Sequence, residues 1–427
     1  MNTTQQSQRY KLDRYTISIK LLTPLHIGQG PDAILQPWEY YIDKNRLYRI
    51  NFSTVLDDFN PQTKGEFHQA LVKQDTSKLQ EIIKKSITRE SKSYLYDIPL
   101  SPDIDVHLLK NKKIFPLIRI DEVKEPYIPG SSVKGAIRTA LLSGYNNGTF
   151  SFVEEKKKNG NPKKTRKERI PFLDKYYDPR NHDDENLEAK IFNYWEKDEK
   201  GNYFRNISND PLKHLKISDC IAEKNTSCAL ANIVNIGSIR GKNHPYRISN
   251  QCEVLLSGSV LKGTVTIMKN WSTEKNRFES IFHDVDYGIE NMAKNCNQYY
   301  KNLYPDDANH IQKDDKNYKM KRKLHDNAQT NGEIIKNSFD NAKVEIPDMR
   351  GNPFILRLGK FTGRQYHMYY EKNETERFPL TRNIFGNPEY QTSPSSKASF
   401  GTSVLPTENK EHTLLPLGWV KVEFTPI

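Results

Sequence analysis

The chain has 427 residues, of which 35% are hydrophobic, 28% charged and 11% aromatic, and its mean hydropathy is −0.81, which predicts packed domains carrying long solvated insertions. The 65 Lys and Arg residues outnumber the 53 Asp and Glu residues, and the net charge of +12 favours polyanionic partners such as nucleic acid. A membrane protein is not indicated, because no apolar run approaches the roughly 18 residues that a bilayer span needs.

The first predicted elements are a strand and a hairpin. Residues Tyr15–Leu21 alternate between apolar and polar side chains, a period typical of a half-buried strand, and Pro24 ends it. Trp38–Asp43 and Arg46–Ile50 flank a two-residue turn and predict a hairpin. Residues 53–110 are mostly polar with helical spacing of their apolar positions, so this stretch is predicted to be largely helical.

A strand and a helix with marked ends are predicted next. Lys113–Ile120 is strand-like and leads into a helix predicted over Ser132–Leu142. Ser131 or Ser132 can cap the first free amides of this helix, and Gly144 stands where a left-handed terminator belongs.

The rest of the chain alternates between charged and structured segments. Residues 150–212 contain the basic run Lys156–Arg169 and read as a solvated insertion, with contact to RNA as the alternative. The structured predictions after it are a hairpin over Cys252–Ile267, a helix over Ile281–Leu303, and strands at Phe354–Leu358 and Val420–Phe424. Short strands with interspersed helices predict an α+β architecture.

The cysteines and the first residues indicate a reduced cytoplasmic setting. Cys220, Cys228, Cys252 and Cys296 show no CxxC spacing, so reduced thiols are expected in place of disulfides or a zinc site. Met1–Tyr15 is polar and lacks the apolar stretch of a signal peptide. We therefore expect a cytoplasmic protein without a metal or cofactor.

The segment Ile128–Arg138 is the strongest candidate for a binding site. A helix start presents unpaired amides and a partial positive charge, and Ser131 and Ser132 would add hydroxyl groups there. Lys134 and Arg138 would bring full charges to the same end, a combination that suits a phosphodiester backbone. An ordinary capped helix with solvated charges is the alternative.

Four segments resemble the RAMP superfamily of CRISPR effector proteins. The helix segment Tyr127–Leu142 is similar to the hallmark helix of that superfamily, and Thr23–Gly30 resembles its opening motif. Leu356–Gly363 resembles its late glycine loop, and Pro416–Val422 its closing strand. Taken in this order, the segments are most similar to the head subunits of type III-A Csm complexes.

The resemblance implies two ferredoxin-like (RRM-like) domains, at 1–268 with the charged insertion and at 269–427 with the long helix and glycine loop. It implies a non-catalytic subunit that caps the 3′-end side of the complex, binds CRISPR RNA and supports its maturation in antiviral defence. Target RNA, the filament-forming RAMP subunit, the small subunit and host nucleases are the other partners it implies. The RNA-binding residues implied by position or charge are Ser131, Ser132, Lys134, Arg138, His26, Arg357, Lys360 and Arg364.

An endoribonuclease is the alternative function. Related RAMP ribonucleases use a histidine near the first strand for acid–base cleavage, which makes His26 a candidate. Filament-forming relatives cut target RNA with an aspartate in the loop after the first strand, and Asp32 lies in the corresponding region of this chain. Such cleavage needs both a base and an acid, and no second histidine is spaced from His26 in a way that identifies it as the partner. The non-catalytic interpretation is therefore favoured.

Overall fold

A computed structural model describes residues 11–30, 33–86, 93–101, 104, 106–109, 112–121, 124–145, 195–197, 203–205, 210–223, 226–238, 245–269, 288–300, 353–359, 369–372, 377–380, 400–406 and 412–427. Its helices are α1 (Phe52–Asp57), α2 (Pro61–Val72), α3 (Thr76–Ser86), α4 (Val106–Leu109), α5 (Gly130–Tyr145) and α6 (residues 288–300). Its strands are β1 (Lys11–Leu21), β2 (Tyr40–Asp43), β3 (Arg46–Ile50), β4 (Tyr94–Pro99), β5 (Ile114–Phe115), β6 (Tyr127–Ile128), β7 (Trp195–Lys197), β8 (Tyr203–Arg205), β9 (Leu215–Ile217), β10 (Cys220–Ala222), β11 (Cys228–Ser238), β12 (Pro245–Leu255), β13 (Val260–Lys269), β14 (Phe354–Arg357), β15 (Tyr369–Lys372), β16 (Arg377–Leu380), β17 (Phe400–Pro406), β18 (His412–Pro416) and β19 (Trp419–Pro426).

The predicted first strand lies at the centre of a seven-stranded antiparallel sheet. Its order is β14-β19-β1-β13-β10-β6, with β9 also paired to β13. The alternation that predicted β1 sets its faces, because Ile17 and Ile19 are fully buried while Arg14 and Lys20 are exposed. The strand prediction is confirmed, and β1 begins four residues earlier than predicted.

Helices α5 and α6 cover the apolar face of this sheet. Val133, Ile137 and Leu141 of α5 share one buried cluster with Met292 and Cys296 of α6 and with the inward residues of β1, β13 and β19. The two helices also meet directly, since the Tyr300 hydroxyl lies 3.4 Å from the Ala136 carbonyl oxygen. The main core of the molecule therefore lies between α5, α6 and the seven-stranded sheet.

The hairpin predicted over Cys252–Ile267 is wrong. The turn is at the predicted place, with Gly258 at φ 85°, but β12 pairs with β11 and β5 in a five-stranded sheet while β13 pairs with β1. Leu255 bonds to Leu25 in both directions, which directs β12 away from β13. The turn thus passes the chain from one sheet to the other, and sequence periodicity cannot distinguish this from a hairpin.

Two further predictions need correction. The stretch 53–110 contains α1 to α4 but also β4, which completes a three-stranded sheet with the predicted β2–β3 hairpin. The strand predicted at Lys113–Ile120 is reduced to the two residues of β5, because Leu117 and Arg119 form only isolated bridges. The hairpin turn itself is confirmed, with Lys44 and Asn45 at φ 43° and 61°.

The α+β class is confirmed: the described part of the chain is mixed, with helices and curled, mostly antiparallel sheets. Strands β1 and β13 precede residue 270, whereas β14 and β19 come from the last 80 or so residues, yet all four share one sheet. The division at 268 and 269 stays a prediction. No helix among the described residues is long and apolar enough to span a bilayer.

Candidate nucleic-acid interface

The candidate helix α5 starts at Gly130, and its first amide is capped from the segment between β9 and β10. The backbone N–H of Gly130 donates to Asp219 Oδ1 at 2.9 Å, and the amides of Ser132 and Val133 donate to the Pro129 carbonyl. A carboxylate of this protein therefore already occupies part of the anion-attracting end of the helix. The cap predicted at Ser131 or Ser132 is wrong in position, because the helix begins one or two residues earlier.

Two glycines allow the chain carrying Asp219 to approach the helix. Residues Ile217 to Cys220 form the kink between β9 and β10, and a Cβ on Gly130 would lie 2.2 Å from the Ile217 carbonyl oxygen. On the other side of the kink, a Cβ on Gly263 would lie 2.8 Å from Ser218 Oγ. Gly130 thus serves packing within the protein, where a side chain would not fit.

Removing the capping carboxylate should weaken α5 measurably. Asp219→Ala is expected to lower the free energy of unfolding by about 1 kcal/mol, because the Gly130 amide loses its acceptor. Asp219→Asn keeps an acceptor oxygen and should cost only a few tenths of that. Urea unfolding of both variants checks this, and equal losses would show that hydrogen bonding at this cap is not what matters.

A cationic cluster lies along α5, one turn beyond its start. Arg138 Nη1 forms an ion pair of 2.7 Å with Asp210 Oδ2, and both side chains are largely buried. Asp210 also accepts from the Leu212 amide through Oδ1, so both of its oxygens are engaged. Lys134 and Lys216 lie close enough to share this electrostatic environment. Neither lysine side chain forms an ion pair or hydrogen bond to the described residues.

The surroundings of Lys134 disfavour its charged form. Burial lowers its pKa, Asp210 opposes that shift, and the neighbouring Arg138 and Lys216 lower the pKa further. An anion placed beside Lys134 would attract its ammonium group and so favour the charged form. We name Lys134, Arg138, Lys216 and Asp210 the α5 cluster; it has three cations for one carboxylate.

Residues of the α5 motif that were predicted to contact RNA differ in their exposure. Ser131 is exposed and Ser132 half-buried, so their hydroxyl groups can be reached from solvent. Gly135 leaves open space, since a Cβ there would meet nothing within 4 Å. Gly144 was predicted to end the helix, but α5 continues through it to Tyr145. The exposed part of the motif is therefore the surface around Ser131, Lys134 and Gly135.

His26 and Arg357 were predicted to bind RNA, and the structure places both in the interior. Each is only 1% exposed. His26 Nδ1 lies 2.7 Å from the Glu253 carbonyl oxygen, and Arg357 Nε donates to the Leu417 carbonyl at 2.9 Å with its guanidinium over the Trp419 ring. Buried side chains cannot contact a phosphate or a 2′-hydroxyl without a rearrangement. In this structure both residues hold the protein together.

These buried residues belong to a junction where three of the four motif segments meet. The amide of Leu358 donates to the Gly418 carbonyl, and the amide of Gly418 donates to the Pro24 carbonyl, both at 2.8 Å. A Cβ on Gly359 would lie 2.5 Å from the His26 carbonyl oxygen, and Gly359 has φ 92°. A larger residue would therefore clash with this carbonyl and would also adopt an unfavourable backbone conformation. The early loop, the late glycine loop and the closing strand thus form one packed unit.

The remaining predicted site residues are outside the described residues. Asp32 lies in the gap at 31–32, and Lys360 and Arg364 lie in the gap that begins at 360. Asp210, Lys216 and Asp219 were missed by the sequence analysis. Each is between about 70 and 90 residues from its partner on α5, and no local sequence pattern predicts a contact over that separation. Within the described residues no group of three or more metal-ligating side chains is present.

Comparison with known proteins gives one family match and several relatives. A sequence model of the RAMP superfamily matches residues 18–374. A protein named CRISPR system Cms protein Csm5, from Methanocaldococcus jannaschii, is 25% identical over 211 residues, which are 48% of this chain and 42% of that protein. The aligned region thus spans less than half of the relative's length.

Solved structures give the fold. A chain of the cryo-EM structure of a Csm–crRNA–target RNA ternary complex in a type III-A CRISPR-Cas system superposes with a TM-score of 0.55 and 16% identity, covering 97% of this chain and 100% of that chain. A crystal structure of Csm5 from T. onnurineus covers 94% of this chain and 99% of that chain, with a TM-score of 0.49 and 16% identity. The first superposition shows a shared fold over nearly the whole length.

Proposed function

Because the chain belongs to the RAMP superfamily, whose model matches residues 18–374, we propose that it is an RNA-binding subunit of a type III-A Csm complex. In this proposal it holds the backbone of CRISPR RNA at the α5 cluster, caps the 3′-end side of the complex and supports CRISPR RNA maturation in antiviral defence. Its RNA contacts are sequence-independent, because phosphate contacts position a nucleic acid and do not read its bases.

The α5 cluster is the observation that carries this proposal. Asp210 can neutralise one of its three cations, and Arg138 holds that carboxylate at 2.7 Å. Lys134 and Lys216 remain without an ion-pair partner among the described residues, and burial already disfavours the charge on Lys134. A bound phosphate would supply the missing negative charge, and the exposed Ser131 can donate a hydrogen bond beside it.

The proposed partners follow from the relatives. One relative is named as a Csm protein, and the chain with the shared fold comes from a complex that holds both CRISPR RNA and target RNA. We propose the same setting here, with the filament-forming RAMP subunit and the small subunit as neighbours and target RNA and host nucleases as further partners. Ser132, Arg357, Lys360 and Arg364 stay in the proposal as residues near the RNA path, and Arg357 acts there through packing.

The subunit is proposed to act without catalysis of its own. The burial of His26 supports this, because a general base must lie within hydrogen-bond reach of the proton that it takes. The endoribonuclease alternative retains Asp32 as its remaining candidate. It gains no support from the described geometry.

The two ferredoxin-like domains are proposed as well, with one change in how the first is built. The order β19-β1-β13-β10, with α5 after β1 and α6 after β13, matches the βαββαβ arrangement. That unit would draw its last strand from beyond residue 269. The second unit, predicted at 269–427, falls largely on residues outside the described ones.

Removing the two unpaired lysines should weaken RNA binding in a salt-dependent way. For Lys134→Ala with Lys216→Ala we expect about a tenfold loss of affinity for single-stranded CRISPR RNA at moderate salt, because two phosphate contacts are lost. The slope of log affinity against log salt should flatten by about 1.4. Fluorescence anisotropy over a series of salt concentrations measures both.

The matched control is Lys64→Ala with Lys84→Ala on α2 and α3, which removes the same charge from two exposed lysines far from α5 in the chain. It should change affinity less than about twofold. Arg138→Ala is measured separately, because it also leaves Asp210 without its partner. Equal salt slopes for the wild type and the Lys134 and Lys216 variant would overturn the proposed site. Cleavage of the RNA by the wild type, abolished by Asp32→Asn, would favour the endoribonuclease.

A further inference from the structure

The face of the seven-stranded sheet that points away from α5 and α6 carries polar side chains along β1, β13, β19 and β9. We name it the open face and define it by Arg14, Thr16, Ser18 and Lys20 of β1, Lys262, Thr264 and Thr266 of β13, Lys421, Glu423 and Thr425 of β19, and Lys216 of β9. Seven of these residues alternate with buried neighbours in the same strands and are themselves exposed: Arg14, Lys20, Lys216, Lys262, Thr264, Glu423 and Thr425. The others on the three central strands are half-buried.

The strand register arranges this face as a band of hydroxyl groups between two groups of cations. Thr264, Thr16 and Thr425 lie side by side in one row across β13, β1 and β19. On one side of this row, Lys216 pairs with Thr266 and Thr266 pairs with Arg14. On the other side lie Lys262, Lys20 and Lys421. The seven residues from Arg14 to Lys20 span about 20 Å of strand.

The charges of this face are not balanced within the protein. Lys262 forms an ion pair of 2.6 Å with Glu223, but Lys20 and Lys421 stand directly opposite each other on neighbouring strands. Like charges placed directly opposite are destabilising in a sheet. Neither lysine forms an ion pair with the described residues. Five cations face only two carboxylates, Glu223 and Glu423, so the face is complementary to an anion.

The composition of the open face fits a nucleic-acid backbone better than a protein partner. Lysine and arginine together with serine and threonine are the side chains that contact phosphate and sugar oxygens. The cores of protein–protein interfaces are instead enriched in aromatic residues and depleted in lysine, serine and glutamate. None of the eleven residues that define the face is aromatic. Contacts from these side chains to phosphate and sugar oxygens would be independent of sequence.

We propose that the open face is a second binding surface for the sugar-phosphate backbone of single-stranded RNA, continuous with the α5 cluster through Lys216. The continuity rests on the position of β9: Lys216 lies beside Thr266 on the open face, β9 packs against α5, and the charge of Lys216 acts on Lys134. RNA held at α5 can pass around this edge and across the strands. The inference deepens the proposed function and rests on it for the identity of the ligand.

The test reverses charge at the two lysines that lie opposite each other on β1 and β19. Lys20→Glu with Lys421→Glu replaces the unpaired lysines with two carboxylates, and Lys64→Glu with Lys84→Glu makes the same change of net charge on α2 and α3. The probe is a fluorescein-labelled oligouridine of about 15 nucleotides. We expect the open-face variant to bind it at least about tenfold more weakly than the control variant and with a flatter salt dependence.

The neutral variant Lys20→Gln with Lys421→Gln guards against a folding defect, since it relieves the repulsion between the lysines and should be at least as stable as the wild type. It should still lose about threefold in affinity. If both open-face variants bind RNA like the control while the Lys134 and Lys216 variant does not, the inference fails and the proposed function stands. If the open-face variants and the Lys134 and Lys216 variant all bind RNA like the control, both the inference and the proposed function fail. Normal RNA binding combined with lost assembly into a Csm complex would make the face a protein interface and overturn the inference.

Discussion

Glu253→Gln should lower the free energy of unfolding by about 3 to 5 kcal/mol, the largest effect that we expect from a single charge. Glu253 is fully buried on β12 and forms an ion pair of 3.1 Å with Arg119, which is itself 8% exposed. Removing one charge of such a pair leaves the other in the interior without compensation. The loss should appear as a lower midpoint in urea unfolding.

The hydrogen bonds of Glu253 explain why the effect should spread through the structure. Its carboxylate accepts from the Tyr96 hydroxyl at 2.7 Å and from the Leu117 amide at 3.1 Å, while its carbonyl oxygen lies 2.7 Å from His26 Nδ1. Burial and the nearby carboxylate raise the pKa of Tyr96, so the phenol stays protonated and can donate. One side chain thus connects the three-stranded sheet, the five-stranded sheet and the loop before α5.

The matched control for this prediction is Asp97→Asn. Asp97 pairs with Arg46 on the three-stranded sheet, and both side chains are more than 40% exposed. Solvent screens such a pair, so the change should cost less than about 1 kcal/mol. Equal losses for the buried and the exposed pair would contradict the role assigned to Glu253.

Gly130→Ala is expected to have the second large effect, a loss of about 2 to 4 kcal/mol. The new Cβ would lie 2.2 Å from the Ile217 carbonyl oxygen and 2.7 Å from that of Ser218, and backbone atoms cannot turn away as a flexible side chain can. The start of α5 would have to separate from the kink between β9 and β10. That movement would break the bond from Gly130 to Asp219 and shift Lys134 away from Lys216.

Gly135→Ala provides the control within the same helix. A Cβ at Gly135 meets nothing within 4 Å, and alanine is the better helix former, so we expect a gain of about 0.5 to 1 kcal/mol. Urea unfolding measures stability, and anisotropy with single-stranded RNA reports whether α5 keeps its position. A tolerated Gly130→Ala would show that the contact between α5 and the kink is loose.

The sequence predicted the elements whose evidence is local. The alternation of Tyr15–Leu21 identified β1, and the spacing in Tyr127–Leu142 identified α5, because one face of each element is buried against the core. The resemblance of the motif segments to the RAMP superfamily is confirmed by the family match. Pairing between distant segments was not predictable: β12 and β13 look like a hairpin and lie in different sheets.

The candidate site was predicted in part for the same reason. Lys134 and Arg138 were found because they share a helix, whereas Asp210 and Asp219 come to α5 through tertiary structure alone. The sequence suggested that a loop histidine and a strand arginine would be accessible, but His26 and Arg357 are buried. Motif residues can support a binding surface by packing behind it, and a sequence pattern does not separate that role from direct contact.

The position of β1 has a consequence for how the chain can be synthesised and folded. β1 is paired on one side with β13 and on the other with β19, whose Phe424 lies about 400 residues after its partner Ile17. While the ribosome is still translating, the central strand therefore has one edge without a partner, and unpaired edges are prone to wrong association. Closing the sheet requires a contact of very high sequence separation, which slows folding. β19, the last of the described strands to be made, thus closes the edge of the central strand.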